Sequence, residues 1–138
     1  MIAYIDSSVV LRIVLGQPGR LAQWKSIATG VASGLVEVEC VRTIDRLRLA
    51  AGLSDAETAR RREAIYRLID GLELAEPTTV VLRRAAQPLP TPLGTLDAIH
   101  LATAVLWREA RGTDLVLATH DRALATAARA SGFRVLGV

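Results

Sequence analysis

Four acidic side chains stand where they could act together: Asp6, Glu39, Asp97 and Asp121. Asp6 directly follows a short apolar run, Ile2-Ala3-Tyr4-Ile5, and Asp121 comes just after Leu115-Val116-Leu117-Ala118. In open α/β sheets, sites form at the carboxyl ends of strands, which is where both acids fall. Each also suits the start of a helix, where Asp is a favoured cap. Asp97 lies in the first turn of TLDAIHLATAVLWREA, where the helix dipole welcomes an anion. Its neighbours Leu96, Ala98, Ile99, Leu101 and Ala102 would hold it close to buried, in need of a cation or hydrogen-bond donors. Glu39 sits on a helix whose buried face is Val36, Cys40, Ile44 and Leu47. At about 100° per residue Glu39 falls at the margin of that face, with Arg42 and Arg46 following on its side, while Glu37 points away. A solvated Glu39 paired with an i+3 Arg is the plain alternative. Taken together the four demand more, because two carboxylates about 4 Å apart repel by roughly 4 kcal/mol at an effective dielectric near 20. A convergent set needs protons or cations, and oxygen-only ligands favour a hard ion. Mg²⁺ or Mn²⁺ is the expected occupant, with open positions for phosphate oxygens and an attacking water.

The elements that must position these acids can be read along the chain. Residues 2–5 form a strand, and the following Ser7-Ser8-VVLRIVL stretch runs at helical length to the Gly16-Gln17-Pro18-Gly19 break. A second helix is expected around Leu21 to Ala28 and a brief strand at Val31 and Ala32. Ser33 then suits the cap of a longer helix ending at Gly52. Ser54-Asp55-Ala56-Glu57 spells a capping box for a helix ending near Gly71, and LELA at 72–75 reads as a strand. Thr78 or Thr79 caps a short helix through Ala86, and the proline-rich stretch from Gln87 to Gly94 tolerates neither helix nor central strand. The apolar helix opened by Thr95 belongs inside. The 115–118 strand, a helix ending at Gly132 and a last strand in FRVLGV close the chain. Strands alternating with helices imply crossovers and a mainly parallel sheet covered on both sides, an α/β fold in a single domain over residues 1–138.

Composition bounds the function. Hydrophobic residues make up 51% and charged residues 22% of 138 residues, the balance of a folded domain. Sixteen of the seventeen basic residues are Arg, with Lys25 the only lysine. Five scattered aromatics cannot supply both a core and a base-stacking platform, so nucleic-acid contact should run through Arg and metal. Cys40 is alone, which excludes a disulfide framework and points to a reducing compartment. No apolar run reaches the length needed to span a bilayer, and residues 1–6 carry no basic leader; a cytoplasmic protein without a membrane partner is expected.

The runs YIDSSVVL, VEVEC, TLDAIHLATA and LATHDRALATAARASGFRV resemble, in order and spacing, the PIN-domain ribonucleases, and closely the VapC toxins of bacterial toxin–antitoxin pairs. The resemblance spans essentially the whole chain. It implies that Asp6, Glu39, Asp97 and Asp121 form an acidic metal site, with Ser7 and Thr119 as hydroxyl neighbours that orient ligands or waters. It further implies a parallel sheet flanked by helices, a homodimer and a VapB-like antitoxin as partner. One departure is Gly94, which stands behind three prolines where many members carry a basic residue.

The expected reaction is endoribonucleolytic hydrolysis of RNA, with a metal-activated water attacking phosphorus in line and 5′-phosphate products. Arg42 and Arg46 are candidates to neutralise substrate phosphates. A metal-free rival would use His100 and His120 as an acid–base pair, an activity that would survive EDTA and make 2′,3′-cyclic phosphates; His100, at i+3 from Asp97, reads more simply as a hydrogen-bonded interior residue. A receiver domain would need a lysine after Lys25, a haloacid-dehalogenase-like phosphatase an Asp at Ser8, and a Rossmann domain a glycine-rich turn after the first strand. A non-catalytic PIN-like binding module would gain nothing from four unpaired carboxylates. If those four are sequestered with metal, ten acids face seventeen bases elsewhere, so the modest net charge of +3 hides an Arg-rich surface around an acidic pocket.

Overall fold

The computed structural model describes residues 1–138. The strands are β1 (Ile2–Ile5), β2 (Thr29–Ser33), β3 (Leu72–Ala75), β4 (Val116–Ala118) and β5 (Val135–Leu136). The helices are α1 (Ser7–Val14), α2 (Leu35–Ala51), α3 (Asp55–Asp70), α4 (Thr79–Ala85), α5 (Thr95–Arg111) and α6 (Arg122–Ala130). All strand pairings are parallel, in the order β3-β2-β1-β4-β5.

Side-chain alternation divides the core. Ala3 and Ile5 of β1, Ala32 of β2 and Val116 and Ala118 of β4 face α1, α2 and α3, meeting Val9, Val10, Cys40, Ile44 and Ile65. The intervening Tyr4, Val31 and Leu117 face α5 and α6, meeting Leu101, Val105, Leu124 and Ala128. Helix α4 packs on α5 through Val81, Ile99 and Ala102. With both faces covered, β1 and β4 at the middle of the sheet are near-continuous apolar runs, as a buried parallel sheet requires.

The chain runs outward from β1 to β3 with its helices on one face, then returns past β1 to β4 with helices on the other. Strand order therefore reverses between β1 and β4, and the crevice beyond their carboxyl ends is where such folds bind ligands. The pairing of Ile5 with Ala118 brings Asp6 and Thr119, the next residue on each strand, side by side.

Two expectations shift. The helix expected at Leu21 to Ala28 is a single 3₁₀ turn at Trp24–Ser26. The N–H groups of Ala28 and Thr29 both point to the Met1 carbonyl, which draws the end of this segment into the sheet. The brief strand at Val31 and Ala32 is consequently the longer β2. The helix expected to be capped by Ser33 starts at Leu35 after Gly34, although the Ser33 hydroxyl still accepts the Leu35 N–H at 3.2 Å. Ser54 caps α3 as its capping box requires, accepting the Glu57 N–H at 3.1 Å. No helix is long and apolar enough to cross a membrane.

Candidate active site

Asp6 is 3% exposed and divides its carboxylate between two tasks. As N-cap of α1 its Oδ2 accepts the Ser8 N–H at 3.3 Å, the Ser8 hydroxyl and, at 2.9 Å, the Thr119 hydroxyl. Its Oδ1 has no hydrogen-bond partner and lies 3.9 Å from His100 Nε2. Asp121 follows the same plan as N-cap of α6: Oδ1 accepts the Leu124 N–H at 2.9 Å and Oδ2 is free. The hydroxyls knit the two strand ends together. Thr119 Oγ1 accepts the Asp121 N–H at 2.9 Å, and Ser8 Oγ accepts the His120 N–H at 2.9 Å.

The other two acids come from the helical layers on opposite faces of the sheet. Glu39 projects from the second turn of α2 with its side chain 18% exposed, whereas Glu37 is fully on the solvent side, as the helical rotation predicts. Its Oε1 accepts a hydrogen bond from His100 Nε2 at 2.6 Å. Asp97, half-buried in the first turn of α5, has no hydrogen-bond partner for either oxygen. Burial, and then the charges of Asp121 and Asp6, push its carboxyl above the ordinary range, with His100 pulling the other way. The charge of Glu39 acts on Asp97 in the same upward sense.

His100 is the residue that joins the layers. It is completely buried on α5, reaches Glu39 of α2 through Nε2, and meets the Tyr4 hydroxyl of β1 through Nδ1 at 2.8 Å. Burial works against its charged form, but the hydrogen bond and charge of Glu39, with Asp6 and Asp97 behind, outweigh it and lift the imidazole above its usual range. Tyr4 is raised far above a normal phenol, by burial first and the Asp6 charge second, so it stays neutral. Composition and spacing do not single out Tyr4 or Ser8 as site residues. For His100 the available signal is its i+3 spacing from Asp97 on an otherwise apolar helix.

Ser8, the neighbour of Ser7, supplies with Thr119 the hydroxyls bonded to Asp6. Ser7 is buried and lines a cleft of about 380 Å³ with Glu39, Arg42 and Arg46, walled by Leu11, Val38 and Leu96. Both arginines are exposed there: Arg46 donates to the Thr43 hydroxyl at 2.8 Å, and Arg42 stands 3.9 Å from Asp45. A second cleft of about 290 Å³ holds Ser8, Arg12, His120 and Asp121, and Leu11 and Thr43 form the waist between the two. Gly94, the departure from the family pattern, is the residue before α5 and leaves open space where a side chain would stand.

No three His, Cys, Asp or Glu side chains close on one point tightly enough to hold an ion by themselves. The donor set nonetheless fits a hard divalent ion. Each acid leaves at least one oxygen without a partner, and Mg²⁺ is ordinarily held by one or two carboxylates while keeping several waters, not by an all-protein cage.

A family model for the PIN domain matches residues 3–130. The chain belongs to the PIN-domain family. This PIN domain is 34% identical over 137 residues to Ribonuclease VapC46 of Mycobacterium tuberculosis (strain ATCC 25618 / H37Rv), covering 96% of the chain and 95% of the relative. It is 27% identical over 132 residues to Ribonuclease VapC47 of Mycobacterium tuberculosis (strain CDC 1551 / Oshkosh), covering 94% and 92%. Among solved structures, the PIN domain resembles VapBC2 from Rickettsia felis bound to a DNA fragment from their promoter, with a TM-score of 0.68 at 11% identity over 98% of this chain and 97% of that one. At that identity the likeness is one of fold.

Proposed function

We propose that this PIN domain is an endoribonuclease toxin of the VapC type, hydrolysing RNA phosphodiester bonds with Mg²⁺ or Mn²⁺ held by Asp6, Asp97, Glu39 and Asp121. The observation that carries the reading is the set of four carboxylates, each with an unpartnered oxygen, around the crevice where strand order reverses. When bound, the ion would supply an activated water near neutral pH and neutralise charge at the phosphate and the leaving oxygen. The chain's own residues do the remaining work. Thr119 and Ser8 hold Asp6 Oδ2, so that Oδ1 keeps one direction toward the site. Arg42 and Arg46, which line one cleft, and Arg12, which lines the other, would be the side chains that take substrate phosphates.

The partner proposed is a VapB-like antitoxin, in keeping with the relatives' names and with the VapBC2 likeness. The toxin would act in the cytoplasm, where its RNA is. A homodimer is proposed as well: Val80 and Leu82 are exposed on α4 beside a groove lined by Leu89, Leu93 and Ile99, an apolar face suited to a second copy. Light scattering should then give twice 14.8 kDa.

Purified protein incubated with RNA tests the catalytic reading. Cleavage should stop with EDTA, return on adding Mg²⁺ or Mn²⁺, and leave 5′-phosphate ends on mapping. Cleavage that persists in EDTA with 2′,3′-cyclic phosphate ends would refute it in favour of a histidine-based mechanism.

A further inference from the structure

The geometry points to His100 as a positioning residue: it aims the Glu39 carboxylate into the site through a hydrogen-bonded chain anchored on the backbone of β2. The inference rests on the proposed role of Glu39 and adds the device that orients it.

The two end bonds of the chain have a fixed direction because of what stands there. The Ser33 N–H can only donate, and it does so to the Tyr4 hydroxyl oxygen at 3.2 Å. The Glu39 carboxylate can only accept, and it takes its hydrogen bond from His100 Nε2 at 2.6 Å. Between them, neutral His100 must carry its proton on Nε2, leaving Nδ1 to accept from the Tyr4 O–H at 2.8 Å. If His100 is charged, Nδ1 donates to the Tyr4 oxygen instead, and Nε2 still donates to Glu39. Glu39 is therefore held in either state.

The chain is also rigid. Tyr4, Ser33 and His100 are all completely buried, whereas Glu39 alone reaches the cleft. A glutamate on an outer helix has three side-chain torsions to fix, and no other residue bonds its carboxylate. The imidazole occupies Oε1 and leaves Oε2 free, so the rotamer that serves the site is selected before any ligand arrives. The bond also ties α2 to α5 across the carboxyl edge of the sheet, which fixes Glu39 relative to Asp97 one turn earlier on α5.

Two isosteric variants separate the halves of the chain. Gln places its amide nitrogen near the reach of Nε2, whereas Asn places its amide near that of Nδ1, so H100Q can still donate to Glu39 and H100N cannot. Mn²⁺ binding to RNA-free protein, followed by electron paramagnetic resonance, should weaken roughly 10- to 100-fold in H100N and remain close to wild type in H100Q. In cleavage assays H100N should lose kcat while KM for RNA holds, because the arginines are untouched, and H100Q should recover a large part of that loss. Equal Mn²⁺ affinity in H100N and wild type, or an H100Q as defective as H100N, would overturn the inference. Should H100N fail to fold, Y4F removes the hydroxyl anchor while keeping both His100 and Glu39; it should weaken Mn²⁺ binding by a smaller factor, and an unchanged affinity would count against the chain.

A third measurement needs neither metal nor activity. The Nε2 proton donated to Glu39 should appear far downfield in the proton NMR spectrum of the metal-free wild type and vanish in E39A. Its absence from the wild type, or its survival in E39A, overturns the inference even if RNA is cleaved. A clear signal in a protein that cleaves nothing would support the positioning device and refute the ribonuclease reading alone.

Discussion

Replacing Asp6 in two ways separates its task in the fold from its task in the site. In Asp6→Asn the amide oxygen can take the place of Oδ2, accepting the Ser8 N–H and the Ser8 and Thr119 hydroxyls, because Asn caps helices about as well as Asp. Those bonds lose their charge assistance but are not broken, and repulsion toward Asp97 and Glu39 is relieved, so stability should change by no more than about 1 kcal/mol. In Asp6→Ala the cap is lost, at about 1 kcal/mol, and the Thr119 hydroxyl, buried at 0% exposure, loses its acceptor at a further ~1–3 kcal/mol. Its nearest remaining candidate is Ser8 Oγ, a long 3.4 Å away. The alanine variant should therefore be ~2–4 kcal/mol less stable than wild type in urea titrations at fixed pH, and clearly below the asparagine variant. Both should lose RNA cleavage by about 10²-fold or more, since neither presents a charged Oδ1. An asparagine variant that cleaves RNA at the wild-type rate would refute the catalytic reading of Asp6. Equal stability of the two variants would refute the division of labour between its oxygens.

Asp97 yields a prediction about pH. Its folded-state pKa lies above the unfolded value of 3.8, so between that value and the raised one the folded chain binds the extra proton, and without metal its contribution to stability falls as pH rises through this window. Asp97→Asn should then melt higher than wild type in EDTA at neutral pH yet fail to cleave RNA, while Mg²⁺ should stabilise only the wild type; a variant that melts lower in EDTA argues against a frustrated carboxylate. Gly137 has φ +101°, and an added Cβ would collide with the Thr119 carbonyl oxygen, so Gly137→Ala should cost roughly 1–3 kcal/mol in thermal melts and slow cleavage by displacing the Thr119–His120 edge. An alanine variant as stable as wild type would show that β5 does not brace that edge. The Cys40 thiol is pushed up to about 12, by burial first and then the charges of Glu39 and Asp6, so it should resist a thiol-specific disulfide reagent at pH 8 until guanidinium unfolds the chain. Rapid labelling of the folded protein would show that α2 opens readily.

The elements legible from residue order were those whose signal is local. Helix α5 announces itself through a long apolar pattern interrupted by Asp97 and His100, and β1 and β4 through short apolar runs followed by Asp and Thr. The segment from Leu21 to Ala28 misleads because its helical spacing is overruled by two hydrogen bonds to Met1, a partner more than twenty residues away. The same division runs through the site. The four acids could be named by type and position, and the family motif together with helical rotation prefers Glu39 over Glu37. The Glu39–His100 bond could not be read in this way, since it joins two helices on opposite faces of the sheet, and only the assembled fold brings them within reach. Ser8 bonds Asp6 for a local reason that residue order does not display: with Asp6 as the cap, the second residue of the helix is the one whose N–H and hydroxyl turn back to the carboxylate.

Capping and ligation at Asp6 and Asp121 look like competing explanations while each residue is considered whole. At the level of atoms they are complementary. In both residues one oxygen is consumed by the first turn of a helix, which holds the carboxylate at the strand end and leaves the second oxygen without a hydrogen-bond partner. A surface carboxylate free to rotate would have to be ordered when a cation or a phosphate arrived, whereas these two are already ordered by bonds the fold requires in any case. Glu39 cannot use this device, because it lies in the interior of α2 where every backbone N–H is taken, and there a buried imidazole supplies the second anchor. Asp97 has no anchor at all and bears the raised pKa. It is thus the acid that gains most from a cation, and the one whose charge state should report whether the site is filled.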